Sequence, residues 1–335
     1  MKFAILTGGG DSPGMNAFIR AVIRSALNLK PTTSVWGVID GWRGLIDNNF
    51  KKLSKKDSAG IANRGGTILG TLRVPELKDD KDMQEAMAMN LHDNYIDYLF
   101  VIGGNGSLKA ANVLNRIILD KGLKTKILVA GGSIDNDVCN NYGFSIGFYS
   151  AIDKSLEMLE WIRDTASSHR RVYILKCMGR DSGYLAFFAG VATGAEYVIR
   201  PKEVVDYERL ATLIDDRDRD TRIIVAEGYE MPLNEIRTKL ENIFEKRNIM
   251  HEIRSVDMGY FQRGGKAAVK DILMASWLGY CMVKGSFEKC DSGFYCVYNV
   301  GMKPTVLTLE DACDDEKSVH LDIPQELIDF EQAMR

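Results

Sequence analysis

The sequence predicts an α/β protein of two domains, built on parallel sheets with helices over their faces. Three observations predict it. Short apolar runs alternate with amphipathic stretches, and strand–helix alternation requires crossover connections. The runs are apolar at consecutive rather than alternate positions, as in strands buried on both faces. The length, 335 residues, exceeds one small core and suits two domains.

The strand-like runs are Phe3–Thr7, Val35–Ile39, Tyr98–Ile102, Ile127–Ala130, Val172–Leu175, Tyr197–Ile199, Ile223–Ala226 and Phe294–Tyr298. Between them, Met15–Leu29, Asp82–Leu91, Ser107–Lys121, Ala151–Arg163, Leu233–Lys246 and Lys266–Val283 read as helices. The mixed-charge run D-D-R-D-R-D-T-R (215–222) reads as a solvated helix end or loop. Proline and glycine mark turns rather than a long linker, and there is no internal repeat or low-complexity segment.

Composition excludes several function classes. Hydrophobic content is 45% and charged content 27%, ordinary for a soluble globular protein. No window approaches the roughly 18 uninterrupted apolar residues of a membrane span. The first residues enter a strand without a signal-peptide pattern, so a cytoplasmic location is expected. A net charge of −3 argues against a nucleic-acid binder driven by counterion release. The six cysteines form no C-x-x-C pair and are expected to be reduced thiols. The four histidines show no H-E-x-x-H spacing, which argues against zinc.

Three expected strands end in glycine clusters: T-G-G-G-D-S-P-G-M-N (7–16), I-G-G-N-G-S (102–107) and A-G-G-S-I-D-N-D (130–137). In an open parallel sheet, ligands bind beyond the carboxyl ends of the strands. Glycine there lets backbone N–H groups approach an anion, and the next helix N-terminus adds partial positive charge. Any single cluster is explained as well by a tight turn. Three together, one carrying two aspartates, point to phosphate chemistry. None fits the P-loop pattern, and none fits G-x-G-x-x-G with a ribose-binding acid.

Phosphates also need cations. Arg73 lies in a glycine-rich turn, and Arg163, Arg170 and Arg171 flank S-S-H. Arg180 follows Met178-Gly179, while Arg254 and Arg263 bracket 257–262. A lone arginine is most simply a surface ion pair. A series at glycine turns and strand ends suits bidentate phosphate recognition.

With these residues in place, the chain resembles the phosphofructokinases. The matching segments are G-G-D-S-P-G-M-N (9–16), G-G-T-I-L-G-T-L-R (65–73), G-G-N-G-S (103–107), S-I-D-N-D (133–137) and I-G-F (146–148). They continue with R-D-T-A-S-S-H-R-R (163–171), M-G-R (178–180), V-A-E-G (225–228), Q-R-G-G (262–265) and D-I-L-M-A-S (271–276). Order and spacing match the family from residue 3 to about residue 300; the tail after Lys303 matches nothing.

The resemblance implies two three-layer αβα domains with mainly parallel sheets and an active site in the interdomain cleft. Residues 1–147 and 261–312 would bind the phosphoryl donor, and 148–260 and 313–335 the sugar phosphate. It implies an ATP-dependent glycolytic kinase that phosphorylates fructose 6-phosphate at its 1-hydroxyl. ATP would be the co-substrate and Mg²⁺ the metal. Asp135 matches the catalytic base, and Asp137 the carboxylate that helps hold Mg²⁺. Gly10 would offer its N–H to the terminal phosphate, Arg73 would clamp the donor phosphates, and Asn105, Gly106 and Ser107 would complete the donor site. Ser133, where the family usually has threonine, keeps a hydroxyl for a phosphoryl oxygen. Arg180 would act on the transferring group and the sugar. Met178, Gly179 and Glu227 match sugar-holding positions; Arg254, Tyr260 and Arg263 lie at the sugar phosphate. Arg171 would reach a neighbouring subunit's sugar site, which implies a homo-oligomer, dimer or tetramer. Arg20, Arg24 and Glu196 match an allosteric site of bacterial members, though Arg20 and Arg24 also read as a solvated i, i+4 pair.

Donor choice rests on two positions. Pyrophosphate-using relatives usually carry aspartate where this chain has Gly106 and lysine where it has Gly132. Glycine at both leaves room for a nucleotide. Several positions depart from the family pattern. Asn105 replaces an aspartate tied to Mg²⁺ and would ligate the metal only through its amide oxygen. Tyr260 replaces a frequent histidine. An extra glycine stands in T-G-G-G-D, and Val129-Ala-Gly-Gly replaces a Pro-Gly entry. These departures leave room for another acceptor, such as another sugar phosphate or a nucleoside, or for a catalytically weakened sugar-phosphate or nucleotide-binding regulator; a pyrophosphate donor stays as the alternative to ATP. The lipid and NAD kinases share the G-G-N-G-S-like turn but lack S-I-D-N-D and Q-R-G-G.

Overall fold

The computed structural model describes residues 1–216 and 220–334. Arg217, Asp218 and Arg219 of the mixed-charge run therefore lie outside the described residues. The chain divides into two compact units, both discontinuous: Met1–Ser150 with Arg263–His320, and Ala151–Gln262 with Leu321–Arg335.

The first unit opens with β1 (Lys2–Gly8), α1 (Met15–Leu29), β2 (Ser34–Val38), α2 (Gly41–Ile46) and β3 (Phe50–Leu53). It continues with α3 (Lys81–Asp93), β4 (Tyr98–Gly103), α4 (Asn105–Asp120), β5 (Lys126–Ser133) and β6 (Ile146–Gly147). α5 (Phe148–His169) begins in this unit and runs on into the second. The second unit then forms β7 (Val172–Cys177), α6 (Tyr184–Thr193), β8 (Tyr197–Ile199), α7 (Tyr207–Asp215), β9 (Thr221–Ala226), α8 (Leu233–Arg247) and β10 (Ile253–Asp257). The chain returns to the first unit for α9 (Val269–Phe287), β11 (Gly293–Cys296), β12 (Thr305–Leu307), α10 (Leu309–Ala312) and α11 (Asp315–Ser318). It ends in the second with α12 (Gln325–Met334).

The first unit's sheet has the order β12-β11-β5-β4-β1-β2-β3, with β6 paired to β5. Only the edge strands β3 and β12 run antiparallel. Phe3, Ile5, Phe100, Ile102 and Leu128 pack on one face with Phe18, Ile19, Met274 and Leu278 from α1 and α9. Ala4, Leu6, Leu99, Val101, Ile127 and Val129 pack on the other with Met87, Leu91, Leu108 and Leu114 from α3 and α4. Burial on both faces is why these strands read as unbroken apolar runs. The second unit repeats the plan in a parallel sheet, β10-β7-β9-β8. Ile174, Ile223 and Val225 lie in one core layer, Leu175 and Ile224 in the other.

Strand register aligns the glycine corners. Gly8 pairs with Gly103, and Gly103 with Gly131, so the three corners stand side by side at the carboxyl end of the sheet. β1 has β2 on one flank and β4 on the other, which places the strand-order reversal at β1/β4.

Several elements escaped the apolar-run reading. β3, F-K-K-L, and β10, I-R-S-V-D, are edge strands with polar faces. α6 is apolar nearly all round and largely buried, so it shows no amphipathic stripe. α5 extends beyond Ala151–Arg163 at both ends. Its start is fixed by Asp271, fully buried, whose Oδ2 accepts Ser150 N–H at 2.7 Å and Ser150 Oγ–H at 2.6 Å. The tail stays with the first unit as far as His320 rather than leaving it after residue 312. Asn141 and Asn140 donate to the carbonyls of Lys317 and His320, and Ser318 Oγ donates to Ala312 O.

Phe100 stands in the middle of this sheet, fully buried, with its ring 5.1 Å from that of Phe3. Phe100→Ala is expected to lower unfolding free energy by about 3–5 kcal/mol, read as a lower urea midpoint. A loss under ~1 kcal/mol would mean that the layer refills the cavity.

Candidate functional site

The first corner is Gly9-Gly10-Asp11 after β1, and the loop 64–73 is fastened over it. Asn16, 1% exposed, donates through Nδ2 to Arg64 O (3.1 Å) and Gly65 O (3.2 Å) and accepts Ile68 N–H at Oδ1 (2.8 Å). Thr7 Oγ1 donates to Gly70 O, and Thr71 Oγ1 donates to Gly9 O, both at 2.9 Å. Arg73 leaves this anchored loop exposed to solvent. Arg263 covers Gly10 so closely that a Cβ there would stand 1.9 Å from its Nη2. Its Nε donates to Asp11 O (3.1 Å) and lies 3.7 Å from Asp11 Oδ1. Arg263 thus belongs to the glycine corner of the first unit, whereas Arg254, assigned with it to a sugar phosphate, lies in the second.

The second corner opens α4. Gly106 is exposed, and a Cβ there would meet nothing within 4 Å. At Gly132, on the neighbouring strand, a Cβ would stand 2.9 Å from Ile102 Cγ1, so a long side chain there needs rearrangement. Ser107 is 1% exposed and its Oγ accepts the Trp42 indole N–H at 3.1 Å. Its side chain braces the corner rather than facing solvent.

The third corner carries the two aspartates, Asp135 at 7% and Asp137 at 9% exposure. Ser133 Oγ accepts Asp135 N–H (3.2 Å) and donates to Asp137 Oδ1 (2.8 Å). Asn136 adopts φ 51°, and its Oδ1 accepts Ser145 N–H at 3.0 Å. Asn105 reaches across from α4: its Nδ2 donates to Asp137 O (2.8 Å) and lies 3.2 Å from Asp137 Oδ2. The sequence suggests metal ligation through the oxygen of this amide; the nitrogen is the end that meets Asp137.

Among the described residues no three His, Cys, Asp or Glu side chains form a metal cluster. The turn instead offers the hard carboxylate oxygens of Asp135 and Asp137; those of Asp137 each take one protein donor and keep a further lone pair for a metal. That donor set fits a magnesium ion that keeps most of its shell as phosphate and water oxygens.

In the second unit the segment Met178–Arg180 follows β7. Glu227, after β9, accepts Gly179 N–H (2.9 Å) and Arg180 N–H (2.8 Å) on one oxygen, Oε2. Gln262, fully buried, accepts Met178 N–H (2.8 Å) and donates to Ser155 Oγ (2.7 Å). Gln262 has no role in the sequence reading, although it stands first in Q-R-G-G. Arg180 is exposed with φ 46°, and Tyr260 is 77% exposed. Arg171 and Arg254 converge on one carboxylate, Glu252, which sequence reasoning also missed. The hydrogen bond from Arg171 is the largest cause holding the Glu252 carboxyl below its ordinary pKa.

Of the residues matched to an allosteric site, Arg24 donates to Ser58 Oγ at 3.0 Å. Glu196 accepts Arg222 N–H at 2.6 Å and pairs with the buried Arg222 guanidinium at 3.4 Å. Arg20 and Arg24 lie in the first unit, Glu196 in the second. All six cysteines are free thiols. Burial pushes the Cys139 and Cys177 thiols up to about 12. No helix among the described residues is long and apolar enough to cross a membrane.

The chain as a whole is similar to known proteins. A family model described as phosphofructokinase matches residues 2–285. The ATP-dependent 6-phosphofructokinase of Macrococcus caseolyticus is 41% identical over 282 residues, covering 83% of each chain. That of Yersinia pestis is 36% identical over 303 residues, covering 88% of each. Among solved structures, the phosphofructokinase from Saccharomyces cerevisiae aligns with 99% of this chain at a TM-score of 0.83 and 28% identity. This chain spans 50% of that fungal chain. A pyrophosphate-dependent phosphofructokinase from Marinobacter aquaeolei, 18% identical at a TM-score of 0.81, is alike in fold.

The fastening of loop 64–73 has a measurable consequence. Asn16→Ala removes three hydrogen bonds and is expected to cost about 2–3 kcal/mol, measured by urea unfolding. Asn16→Asp, which keeps the acceptor and loses both donated bonds, is also expected to be destabilised. Wild-type stability in both variants would show that the loop is held elsewhere.

Proposed function

Because the chain belongs to the phosphofructokinase family, we propose that it transfers the γ-phosphoryl group of ATP to the 1-hydroxyl of fructose 6-phosphate, giving fructose 1,6-bisphosphate. The observation that carries this reading is the braced S-I-D-N-D turn, which presents two carboxylates on the same sheet edge as the other two glycine corners. A sheet edge of backbone N–H groups suits a polyphosphate, and a carboxylate beside it suits a proton acceptor.

Asp135 is the base. It takes the proton from the sugar hydroxyl as that oxygen attacks the γ-phosphorus, and the bond from phosphorus to the leaving ADP oxygen breaks. Phosphoryl transfer depends chiefly on alignment and on neutralising charge that spreads over the phosphate oxygens. The Gly10 N–H, Arg263 beside it, and Arg73 supply that neutralisation on the donor side. Asp137 is the residue that would hold magnesium, which when bound screens the phosphate charges.

The second unit takes the sugar phosphate. Glu227 shapes the M-G-R segment through the N–H groups of Gly179 and Arg180, which presents the Arg180 side chain. Arg254 and Arg171 are the cations for the sugar's 6-phosphate, and a dianion must draw them from Glu252. Arg171 and Arg254, meeting at one carboxylate, serve the same phosphate, that of a neighbouring subunit, so the working form is a homo-oligomer. ATP is favoured over pyrophosphate by the open space at Gly106, and the relatives named above as ATP-dependent support the same choice.

A coupled assay that crosses ATP and pyrophosphate with fructose 6-phosphate tests this. Turnover is expected with ATP and not with pyrophosphate; pyrophosphate-only turnover would refute the donor assignment, and none with either would refute the enzyme. Asp135→Ser is expected to lower kcat by about 10²–10⁴-fold, with nucleotide binding by calorimetry retained. Gly106→Asp is expected to raise the ATP KM at least tenfold, about 1.4 kcal/mol, by adding a like charge beside the phosphates.

A further inference from the structure

The amide at position 105 does something that a carboxylate there could not. Its Nδ2 lies 2.8 Å from the Asp137 main-chain oxygen and 3.2 Å from Asp137 Oδ2. Two acceptors facing one amide end require that end to be the N–H₂ donor. The other carboxylate oxygen, Oδ1, takes the Ser133 hydroxyl proton at 2.8 Å. Both oxygens of Asp137 therefore face protein donors, one from its own turn and one from the first residue of α4. A carboxylate at 105 would set two like charges within hydrogen-bonding range, and some third charge would have to hold them together. With an amide, the same contact attracts.

We infer that Asn105 is a positioning residue: its amide ties the S-I-D-N-D turn to the first residue of α4, so the turn keeps its shape without a divalent cation. Magnesium then serves the nucleotide phosphates and is not needed to assemble the loop that carries Asp135. The kinetic part of this inference rests on the function proposed above; the structural part does not.

Calorimetry on the nucleotide-free protein, with and without millimolar MgCl₂, separates the two. The wild-type melting temperature is expected to ignore magnesium. Asn105→Asp is expected to melt about 2–4 °C lower without the metal and to regain most of that loss with it. Asn105→Ala is expected to melt lower in both conditions. In turnover assays at saturating magnesium, Asn105→Ala is expected to lose about tenfold or more in kcat, with the fructose 6-phosphate KM within about twofold. Asn105→Ser, which keeps a short donor, is expected to recover part of kcat. A wild-type melting temperature that climbs with magnesium as far as the aspartate variant's overturns the tether. So does an aspartate variant that melts like wild type without the metal, or an alanine variant with full kcat. If the wild-type protein turns over no donor, the proposed function fails, while the calorimetry still decides the tether.

Discussion

Two carboxylates two residues apart on one turn repel each other, and the third glycine corner is organised by the need to hold them. In water their repulsion is modest; where Asp135 and Asp137 lie, at 7% and 9% exposure, it is stronger. Donors offset it. The Ser133 hydroxyl works in both directions, accepting the Asp135 N–H and donating to Asp137. The Asn105 amide supplies the second donor to Asp137. The Asn136 side chain ties the middle of the turn to Ser145 and so to the segment that leads into α5. The left-handed backbone at Asn136, φ 51°, is a conformation asparagine tolerates better than most residues.

The same device recurs at three other loop segments. Neutral amides and one carboxylate, all pointing inward, take up backbone groups that no strand or helix satisfies. Asn16 does this for loop 64–73 and Gln262 for Met178. Glu227 does it for Gly179 and Arg180. A buried N–H or C=O without a partner costs about 1–3 kcal/mol, so each side chain decides whether its loop has one shape or several. The sheets beneath make this precision useful. Strand register aligns Gly8, Gly103 and Gly131, and both faces of β1, β4 and β5 are packed, so the corners rest on a rigid base.

Positive charge is handled differently in the two units. In the first, Arg263 is held against Asp11 and covers the Gly10 turn. In the second, Arg171 and Arg254 share Glu252. Glu252 is exposed, so its attraction for both guanidinium groups is screened by solvent. The shared carboxylate keeps the two like-charged arginines near each other.

The sequence by itself determined the layers and the chemistry-bearing corners. Runs apolar at consecutive positions mark strands buried on both faces, and they located β1, β4, β5, β7 and β9. Glycine clusters after three of them, with two aspartates in the third, marked the sheet edge that carries the candidate site. The edge strands β3 and β10 and the all-apolar α6 stayed hidden, because an edge needs no apolar run and a buried helix shows no stripe. Only the tertiary structure decided which atom of each side chain does what. It turned the nitrogen of Asn105, not its oxygen, toward Asp137, laid Arg263 over Gly10, and set Glu252 between Arg171 and Arg254. The physical reason is that residue type fixes what a group is able to bind. Which partner it meets depends on strand order and register, and these bring together residues far apart in the chain.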